Sequence, residues 1–383
     1  MVYSDPQEFG ELTFIFSDGE GKPPNGYFSL AGHIYPAEES RRPPMVWVKE
    51  TRSGSGALAK PIDWKPLKWE GKVRHYRPVP PPGYRALSDF PGSGSTIPRS
   101  DFRCIREVIN GRNYVAKGLL DTETGTLGAE PRPPQAIPDD SGVLLVPGNC
   151  FWFWDESDHA GEDPGNVYVL DVPPHSVRGD DLIAPVLRNY DTVPDQQCDV
   201  TDHQVTVPCT AILDKDKTAE WIVRNSPVYT VRRKRCYTII GSDNRKNSDA
   251  DGSLKETVSW GVTKTEAESF HASVGVTVGY EVGINFEVVE AKASFQLALQ
   301  LGYDRTHSVS VMKNYSRDAT TTTLAHHTTA FYAETHTLDV VRKDGTHASG
   351  QNGLTFNAGK HVTTCQWPPA KQPPGPHPGH PQN

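Results

Sequence analysis

A change of phase in a long alternation of apolar and polar residues constrains this chain more than any other feature. From Val274 to Val288 every even position is apolar or aromatic, and from Val289 to Tyr303 the odd positions are. Side chains alternate across a strand with a period of two, so each run of about 15 residues predicts an amphipathic β-strand. At a rise of about 3.3 Å per residue each strand would extend roughly 50 Å, whereas most strands have about 5–6 residues. The sequence predicts two long strands joined near residue 288.

Two interpretations of this hairpin are open. A strand that crosses a membrane needs about 9–11 residues with alternating faces, and several copies can close a barrel that leaves no backbone group unpaired in lipid. The alternative is a strand pair in a β-sandwich, with one face to the core and one to water. Apolar residues such as Phe286 and Val288 near the turn, where a sandwich hairpin usually has Asn-Gly or Asp-Gly, favour insertion. The positions predicted to face lipid are Val274, Val276, Val278, Tyr280, Val282, Ile284, Phe286, Val288, Val289, Ala291, Ala293, Phe295, Leu297 and Leu299.

Composition excludes several classes of protein. The mean hydropathy of the 383 residues is −0.55, and no stretch approaches 18 consecutive apolar residues, so no membrane-spanning helix is expected. The formal charge of 39 − 47 = −8 argues against nucleic-acid binding. The first ten residues have no apolar core, so we expect no signal peptide and a soluble chain that acts at the plasma membrane of target cells.

The distribution of proline predicts the domains. Of 33 prolines, 26 lie in residues 1–227 and seven lie from Pro368 onward, so residues 228–367 have none. Proline cannot donate to a strand ladder, and its absence favours uninterrupted strands there. We predict a head at 1–180, a linker at 181–204, a second β domain at 205–367 and a disordered tail at 368–383.

The head contains an internal repeat. Residues 23–30 (PPNGYFSL) correspond to residues 80–87 (PPPGYRAL) at an offset of 57, and the same offset relates residues 48–50 to residues 105–107. A Pro-Gly-Tyr turn with its flanking strands is thus one supersecondary unit used twice. A third, degraded copy at residues 142–154 would complete a β-prism with pseudo-threefold symmetry.

The same residues resemble a known family. Residues 77–87 (RPVPPPGYRAL) and 101–107 (DFRCIRE) are similar to the signature of the Vps62 family, with Ser88 where that family usually has glycine. The resemblance covers about residues 10–125. It implies a Vps62-like head of weakly defined function.

Aromatic residues are the candidates for receptor or glycan binding in the head. Residues 151–154 read FWFW, which is either a strand at a domain junction or a platform for a carbohydrate or membrane surface. The candidates for binding a receptor are Tyr27, Tyr84, Trp152 and Trp154.

The second domain reads as a series of strands. Strands are expected at residues 221–229, 231–241 and 257–265. The basic run at residues 232–235 (RRKR) is predicted to be a solvated strand edge, and its alternative is a protease site or a contact with anionic lipid. Most of the six cysteines are expected to be free thiols, although Cys198 and Cys209 could form a local bridge.

These segments resemble the aerolysin-like pore-forming fold. The matching parts are residues 221–230, residues 257–270, the hairpin and residues 301–308, so the similarity covers about residues 205–365. Vps62-like heads joined to such domains resemble insecticidal proteins of bacteria and ferns. The resemblance implies a chain that binds a receptor on target cells, oligomerises and inserts the hairpin.

No catalytic motif is present. The sequence lacks a G-x-S-x-G elbow, a phosphate-binding G-x-x-x-x-G-K-[ST] loop and an H-E-x-x-H helix, and we expect no enzyme activity, no cofactor and no metal site. We predict an all-β, two-domain pore-forming toxin, with a β-prism-like head followed by an elongated aerolysin-like domain. The alternative is a non-lytic, lectin-like or Vps62-type trafficking or binding module whose hairpin stays in its sheet.

Overall fold

The structure is a computed structural model. It describes residues 1–19, 22–31, 44–70, 73–93, 100–120, 131–132, 134–136, 144–145, 153–154, 168–173, 175–279, 283–288, 293–295, 301–303, 311–348, 350, 353–358 and 362–369. Most of the candidate third repeat lies outside these residues, and so does the predicted tail after Pro369. Three of the predicted site residues also lie outside them: Tyr280, Val282 and Trp152.

The head is built from short antiparallel strands. Their bounds are β1 (Gln7–Phe9), β2 (Leu12–Ser17), β3 (Phe28–Ser29), β4 (Met45–Glu50), β5 (Leu58–Ala59), β6 (Asp63–Glu70), β7 (Val73–Val79), β8 (Tyr84–Arg85), β9 (Phe90–Ser93), β10 (Cys104–Arg106), β11 (Val108–Ile109), β12 (Arg112–Asn113), β13 (Val115–Leu120), β14 (Pro131–Arg132), β15 (Pro134–Ala136), β16 (Leu144–Leu145), β17 (Phe153–Trp154) and β18 (Tyr168–Asp171). They form small sheets with the strand orders β1-β2-β4-β3, β5-β10-β8, β6-β7-β9, β11-β12, β15-β13-β18-β16 and β14-β17. Glycine and proline interrupt these strands every few residues, which keeps them short.

The repeat predicted from the sequence is present in the backbone. Gly26 and Gly83 have φ angles of 82° and 79°, and the tyrosine after each donates its N–H to the carbonyl three residues earlier. Positive φ at the third residue of a turn favours glycine. The register is repeated as well, because Phe28 pairs with Val48 in one unit and Arg85 with Ile105 in the other. All four positions are related by the offset of 57. The β-prism arrangement stays a prediction.

The second part of the chain has longer strands. Their bounds are β19 (His175–Arg178), β20 (Gln196–Pro208), β21 (Val228–Asn244), β22 (Gly252–Trp260), β23 (Val276–Gly279), β24 (Gly283–Val288), β25 (Ala293–Phe295), β26 (Tyr315–Thr323), β27 (Thr328–Arg342), β28 (Leu354–Asn357) and β29 (Thr363–Trp367). The main sheet has the order β19-β20-β21-β27-β28, and β29 also pairs with β27. Two smaller sheets are β22-β26 and β23-β24-β25. The prediction of an all-β fold is confirmed.

Two short helices stand where strands were predicted. Helix α1 (Ala219–Asn225) begins at Thr218, whose side chain accepts a hydrogen bond from the N–H of Trp221, and it ends before Pro227. Helix α2 (Lys264–Val274) follows β22 directly. Both helices begin at a threonine followed by an acidic residue in the first turn, which satisfies free backbone N–H groups and favours helix over strand. The strand predictions for residues 221–225 and 264–265 are therefore wrong.

One apolar core runs through both parts of the chain. Phe9 and Tyr114 of the head belong to the same cluster of buried residues as Val205 and Tyr229 of the main sheet. The main sheet also begins earlier than predicted, because β19 lies in the predicted head and β20 begins within the predicted linker. His175 of β19 hydrogen-bonds the carbonyl of Glu8 at 2.6 Å. The shared core and the β19–β20 ladder, in which His175 pairs with Thr206, both cross the predicted boundary at residues 181–204.

Candidate functional site

The predicted hairpin begins inside a helix. Thr263 and Glu266 form a reciprocal cap at the start of α2, and Gly275, with φ of 72°, ends the helix in the left-handed conformation. Val274 is the last helical residue and is fully buried. The strand predicted from Val274 therefore starts at Val276, because the helix caps at both ends are stronger local signals than the alternation.

The remainder of the predicted hairpin is a meander of three strands, β23 to β25. The chain reverses between Gly279 and Gly283, which pair with each other, and again between Val288 and Ala293. The predicted join near residue 288 is confirmed by the second reversal, whereas the prediction of one unbroken strand of about 15 residues before it is wrong, because the chain also reverses after Gly279. The alternation of the sequence continues through this first reversal without interruption and therefore does not reveal it.

The register explains the change of phase. Val276 pairs with Phe286 and Val278 with Ile284, so the even positions of β23 and β24 share one face. Phe286 also pairs with Phe295, so an even-numbered residue of β24 lies opposite an odd-numbered residue of β25. The apolar residues of β25 are therefore the odd-numbered ones, on the same face of the sheet. Residues directly opposite each other in an antiparallel pair lie on the same side of the sheet. The alternation therefore predicted the faces correctly although it predicted the wrong strand lengths.

Two residues of the apolar face, Val276 and Val278, are turned inward. Val276 and Val278 are 1% and 4% exposed, and they belong to the main core together with Phe270 of α2 and Met312. The predicted positions Val289, Ala291, Leu297 and Leu299 lie outside the described residues, as do Tyr280 and Val282.

Residues 301–303 form the C-terminal end of the predicted hairpin, and we call them the anchor. Leu301 and Tyr303 are fully buried. Gly302 has φ of 74°, and a Cβ placed on it would lie 2.7 Å from the ring of His203. Only glycine fits at this position, because both its φ angle and the contact with His203 exclude a side chain.

The anchor lies on a pair of histidines and an arginine. The hydroxyl of Tyr303 hydrogen-bonds Nδ1 of His336, and the guanidinium of Arg233 lies 4.6 Å from the centre of the tyrosine ring. Arg233 also donates from Nη1 to the carbonyl of Gly302 at 3.3 Å. His203 Nδ1 lies 3.0 Å from Nη2 of Arg233.

A network of buried charges supports these residues. Arg233 makes two hydrogen bonds of 2.9 and 2.5 Å to the carboxylate of Asp202, and both side chains are nearly inaccessible. Arg235 donates to Asp202 at 3.1 Å and to Glu334 at 2.8 and 2.6 Å. His336 Nε2 lies 2.8 Å from Glu334. Two acidic and two basic residues of β20, β21 and β27 thus neutralise each other beneath the anchor.

Burial and pairing act in opposite directions on the pKa of these carboxyl groups. Burial alone would raise the pKa of Asp202, but hydrogen bonds from Arg233 and Arg235 lower it below its usual value. Burial would also raise the pKa of Glu334, but His336 and Arg235 lower it to about 2. Both groups are therefore carboxylates at neutral pH.

The basic run at residues 232–235 is not a solvated edge. It lies in β21 between β20 and β27, and each of its residues pairs with an acidic side chain of a neighbouring strand. The prediction of an exposed edge or a protease site is therefore wrong. Asp202, Glu334 and Asp339 are the residues that sequence reasoning missed, because only strand pairing brings them to the basic run.

The tyrosines predicted to bind a receptor have structural roles. Tyr27 is 7% exposed and packs with Met45 and Trp47. The hydroxyl of Tyr84 donates to the carbonyl of Gly56 at 2.7 Å. Tyr27 is therefore too buried to form a surface contact, whereas Tyr84 is half-buried and its role in binding a receptor stays a prediction. The strand β17 includes Trp154, and Trp152 lies outside the described residues.

The head also has an open cleft of about 700 Å³. It lies between the turn at residues 52–55 and the hairpin tip at residues 108–111. At its base, Glu11 accepts hydrogen bonds from Arg52 at 3.1 Å and from Asn110 at 2.7 Å. Arg106 lines the same cleft and is exposed, with no ion-pair partner among the described residues. Two guanidinium groups and one carboxylate leave the cleft with a net positive charge.

The described residues show no metal or disulfide chemistry. Within them, no group of three or more His, Cys, Asp or Glu side chains could hold a metal ion. Cys104, Cys198, Cys209, Cys236 and Cys365 are free thiols, which confirms the expectation for these five. In the described part of the chain, no helix combines the length and the apolar character that crossing a bilayer requires.

Comparison with known proteins gives distant structural likenesses. No protein-family model matches the chain, and no curated protein matches it. The crystal structure of Cry35Ab1 aligns with 80% of this chain and 79% of its own, at 11% identity and a TM-score of 0.37. The crystal structure of GNIP1Aa from Chromobacterium piscinae aligns with 42% of this chain and 32% of its own, at 17% identity and a TM-score of 0.25.

Proposed function

We propose that this protein is a pore-forming toxin that binds target-cell membranes, oligomerises and inserts the region of the meander as a β-hairpin. The observation that carries the proposal is that an amphipathic sequence long enough to cross a membrane is folded into the short strands β23 to β25. The apolar positions that a barrel would turn to lipid are opposite one another on a single face, and the two residues of that face whose burial is described, Val276 and Val278, lie in the core.

The length of the stored sequence supports this function. Residues 276–288 provide 288 − 276 + 1 = 13 residues in β23, β24 and the reversal between them, more than the 9–11 or so that a membrane strand needs. Opening that reversal would convert two short strands into one long strand with unchanged alternation. The stretch from Val289 to Tyr303 would form the second strand of the hairpin, and copies of it would close a barrel.

The head cleft supports a role in binding. A cleft with exposed Arg52 and Arg106 suits an anionic group on a cell-surface receptor, whether that group belongs to a protein or a glycan. We propose recognition and insertion as the activities of the protein and no enzymatic reaction or cofactor. In the full-length chain, Arg106→Ala should weaken binding to target cells without changing the denaturation midpoint. Arg178→Ala, at an exposed arginine outside the cleft, should leave binding unchanged.

A reversible crosslink across the first reversal tests the insertion. Thr277 and Asn285 are Cα partners in β23 and β24, and antiparallel partners are about 4.5–5.5 Å apart, which a disulfide can span. Thr277→Cys combined with Asn285→Cys should give oxidised protein that binds cells but does not release a dye from them. Reduction should restore release to the level of the unmodified chain.

The matched control is a crosslink in a sheet that need not open. Ser259 and Ser316 are partners in β22 and β26 with their hydroxyl groups 3.0 Å apart. Ser259→Cys with Ser316→Cys should leave dye release intact in the oxidised protein. If the first crosslink is formed and release persists, the meander does not insert. If the unmodified chain binds cells and never releases dye, the non-lytic binding module is the correct function.

A further inference from the structure

Another cleft lies on the main sheet, and we call it the sheet cleft. Side chains of β21, β27 and β28 form its floor, and its walls are β20 and the segment where β22 ends and α2 begins. It is open and measures about 720 Å³, within the range of about 300–1,000 Å³ of small-molecule sites. We propose that the sheet cleft binds a neutral sugar. The inference goes beyond the proposed function and does not depend on it, because it concerns neither the head cleft nor the meander.

The two faces of the main sheet differ in chemistry. Residues 233 and 235 of β21 and residues 334 and 336 of β27 carry the buried charges beneath the anchor. The side chains between them point to the other face, because successive side chains of a strand alternate. On that face the register forms two rows across β21, β27 and β28, which are Cys236 with Thr335 and Asn357, and Lys234 with Thr337 and Thr355. The floor of the sheet cleft is therefore built mainly from hydroxyl and amide groups.

Hydrogen bonds within the floor hold its polar groups in place. The hydroxyl of Thr335 lies 3.0 Å from Oγ1 of Thr238 and 3.0 Å from Oδ1 of Asn357. The side-chain amide of Asn357 donates at 2.8 Å to the carbonyl of Ser259 in β22. The floor is thus bonded to the wall, and its groups are in position before a ligand arrives, which lowers the entropic cost of binding.

The sheet cleft also has groups with capacity for further hydrogen bonds. The hydroxyls of Thr337 and Thr355 lie 2.9 Å apart. A hydroxyl has one proton and two lone pairs, so Thr337 can bond another group besides Thr355. Gln196 and Asp199 of β20 are exposed at the rim, and within the described residues their side chains make no hydrogen bond or ion pair. A ligand therefore meets an amide, a carboxylate and a hydroxyl in one cleft.

The mixture of these groups indicates the class of ligand. Lys234 contributes one ammonium group, whereas Asp199 and Glu266 contribute two carboxylates, so the sheet cleft has no excess of positive charge for an anion. An apolar ligand would remove water from these groups without replacing their hydrogen bonds. Each hydroxyl of a sugar both donates and accepts, so it can bond the carboxylate of Asp199 as well as the amide of Gln196. A neutral sugar therefore fits this cleft, while the two guanidinium groups of the head cleft suit an anion.

Binding of soluble sugars to the full-length protein tests the site without membranes. The probes are glucose, galactose, mannose, N-acetylglucosamine and N-acetylgalactosamine, each titrated at millimolar concentrations and followed by saturation-transfer NMR. At least one of them should bind. Asp199→Ala removes a charged acceptor from the rim and should weaken that binding by at least about tenfold. Asp180→Ala, at an exposed aspartate outside the sheet cleft, should leave it unchanged.

A matched pair of variants tests the floor. Thr337→Val replaces a hydroxyl by a methyl group of similar shape and should weaken binding about threefold to tenfold. Thr320→Val makes the same change at an exposed threonine of β26 outside the sheet cleft and should have no effect on binding. The urea midpoint of each variant should equal that of the unmodified chain, which shows that the loss of binding is not a loss of folding.

Three outcomes would overturn the site. The first is that none of the five sugars binds the unmodified protein. The second is that a sugar binds equally to the unmodified chain, Asp199→Ala and Thr337→Val, because the bound sugar then lies elsewhere. The third is a loss of binding in Arg106→Ala alone, which would assign the sugar to the head cleft. Dye release does not enter the measurement, so failure of the pore and failure of the sugar site are distinguishable.

Discussion

The β21–β27 pair forms one long ladder, whereas the β23–β25 meander, whose apolar and polar positions alternate regularly, is divided into short ladders. β21 and β27 are paired at 15 positions with one irregularity, whereas the meander has four pairs between β23 and β24 and three between β24 and β25. Strand length is therefore set by the partner available and not by the alternation alone.

The two regions also differ in what holds them. The β21–β27 pair is stabilised by its own backbone hydrogen bonds and by ion pairs such as Arg235 with Glu334. In the described part of the meander the ladders are short, Val276 and Val278 are buried in the main core, and Arg233 bonds the anchor that follows it. A region with a short ladder can open while its neighbour stays folded, because its local stability is a fraction of the whole.

The largest expected effect is on the sheet. Asp214 accepts hydrogen bonds from Arg342 at 2.6 and 2.9 Å and from Tyr229 at 2.7 Å, and it is fully buried. Asp214→Ala removes the buried carboxylate that neutralises Arg342 and should lower the free energy of unfolding by about 3–5 kcal/mol. Urea denaturation measures this loss. Asp216→Ala is the control, since Asp216 is exposed and 3.5 Å from the same arginine, and its midpoint should be unchanged.

A smaller loss should follow acidification. The pKa of Glu334 is about 2 in the folded protein, against 4.5 ordinarily, so its contribution of about 3 kcal/mol is present above pH 4.5 and is lost as the pH falls toward 2. Unfolding by urea at several pH values should show this acid limb. Glu334→Gln should be less stable at pH 7 and should lack that part of the limb; an unchanged limb would show that Glu334 is not coupled to folding.

The meander should respond separately from the sheet. Val278→Thr preserves the shape of a buried side chain and adds a hydroxyl, which costs about 1–3 kcal/mol where no partner is found. We expect faster hydrogen exchange in β23 and β24 and unchanged exchange in β21 and β27. Equal acceleration in both sheets would show that they open as one unit, which would end the distinction between them.

The sequence predicts the faces of these regions better than their extent. The change of phase after Val288 predicts one apolar face, and the register of β23 to β25 confirms it. The reversal between Gly279 and Gly283 could not be predicted from the alternation, which continues through it without interruption. The charged network has no local signal, because residues such as Asp202 and Glu334 meet Arg235 only after β20, β21 and β27 have paired. Contacts between distant strands depend on the register in which the strands pair, and that register could not be predicted from a single sequence.

The smallest effect concerns the helix that leads into the meander. Glu266 accepts from the N–H of Thr263 at 2.8 Å, while Thr263 caps the N–H of Glu266 at 3.2 Å. Glu266→Ala removes half of this cap and should cost about 1 kcal/mol, mostly by fraying the first turn of α2. Glu268→Ala removes an exposed carboxylate from the same helix without touching the cap, and it should have little effect. Amide exchange at residues 264–267 should distinguish the two variants. If fraying also accelerates exchange in β23, the first turn of α2 helps to hold the N-terminal end of the meander in place. If exchange in β23 is unchanged, the buried last turn of α2 around Phe270 and Val274 is sufficient to hold that end.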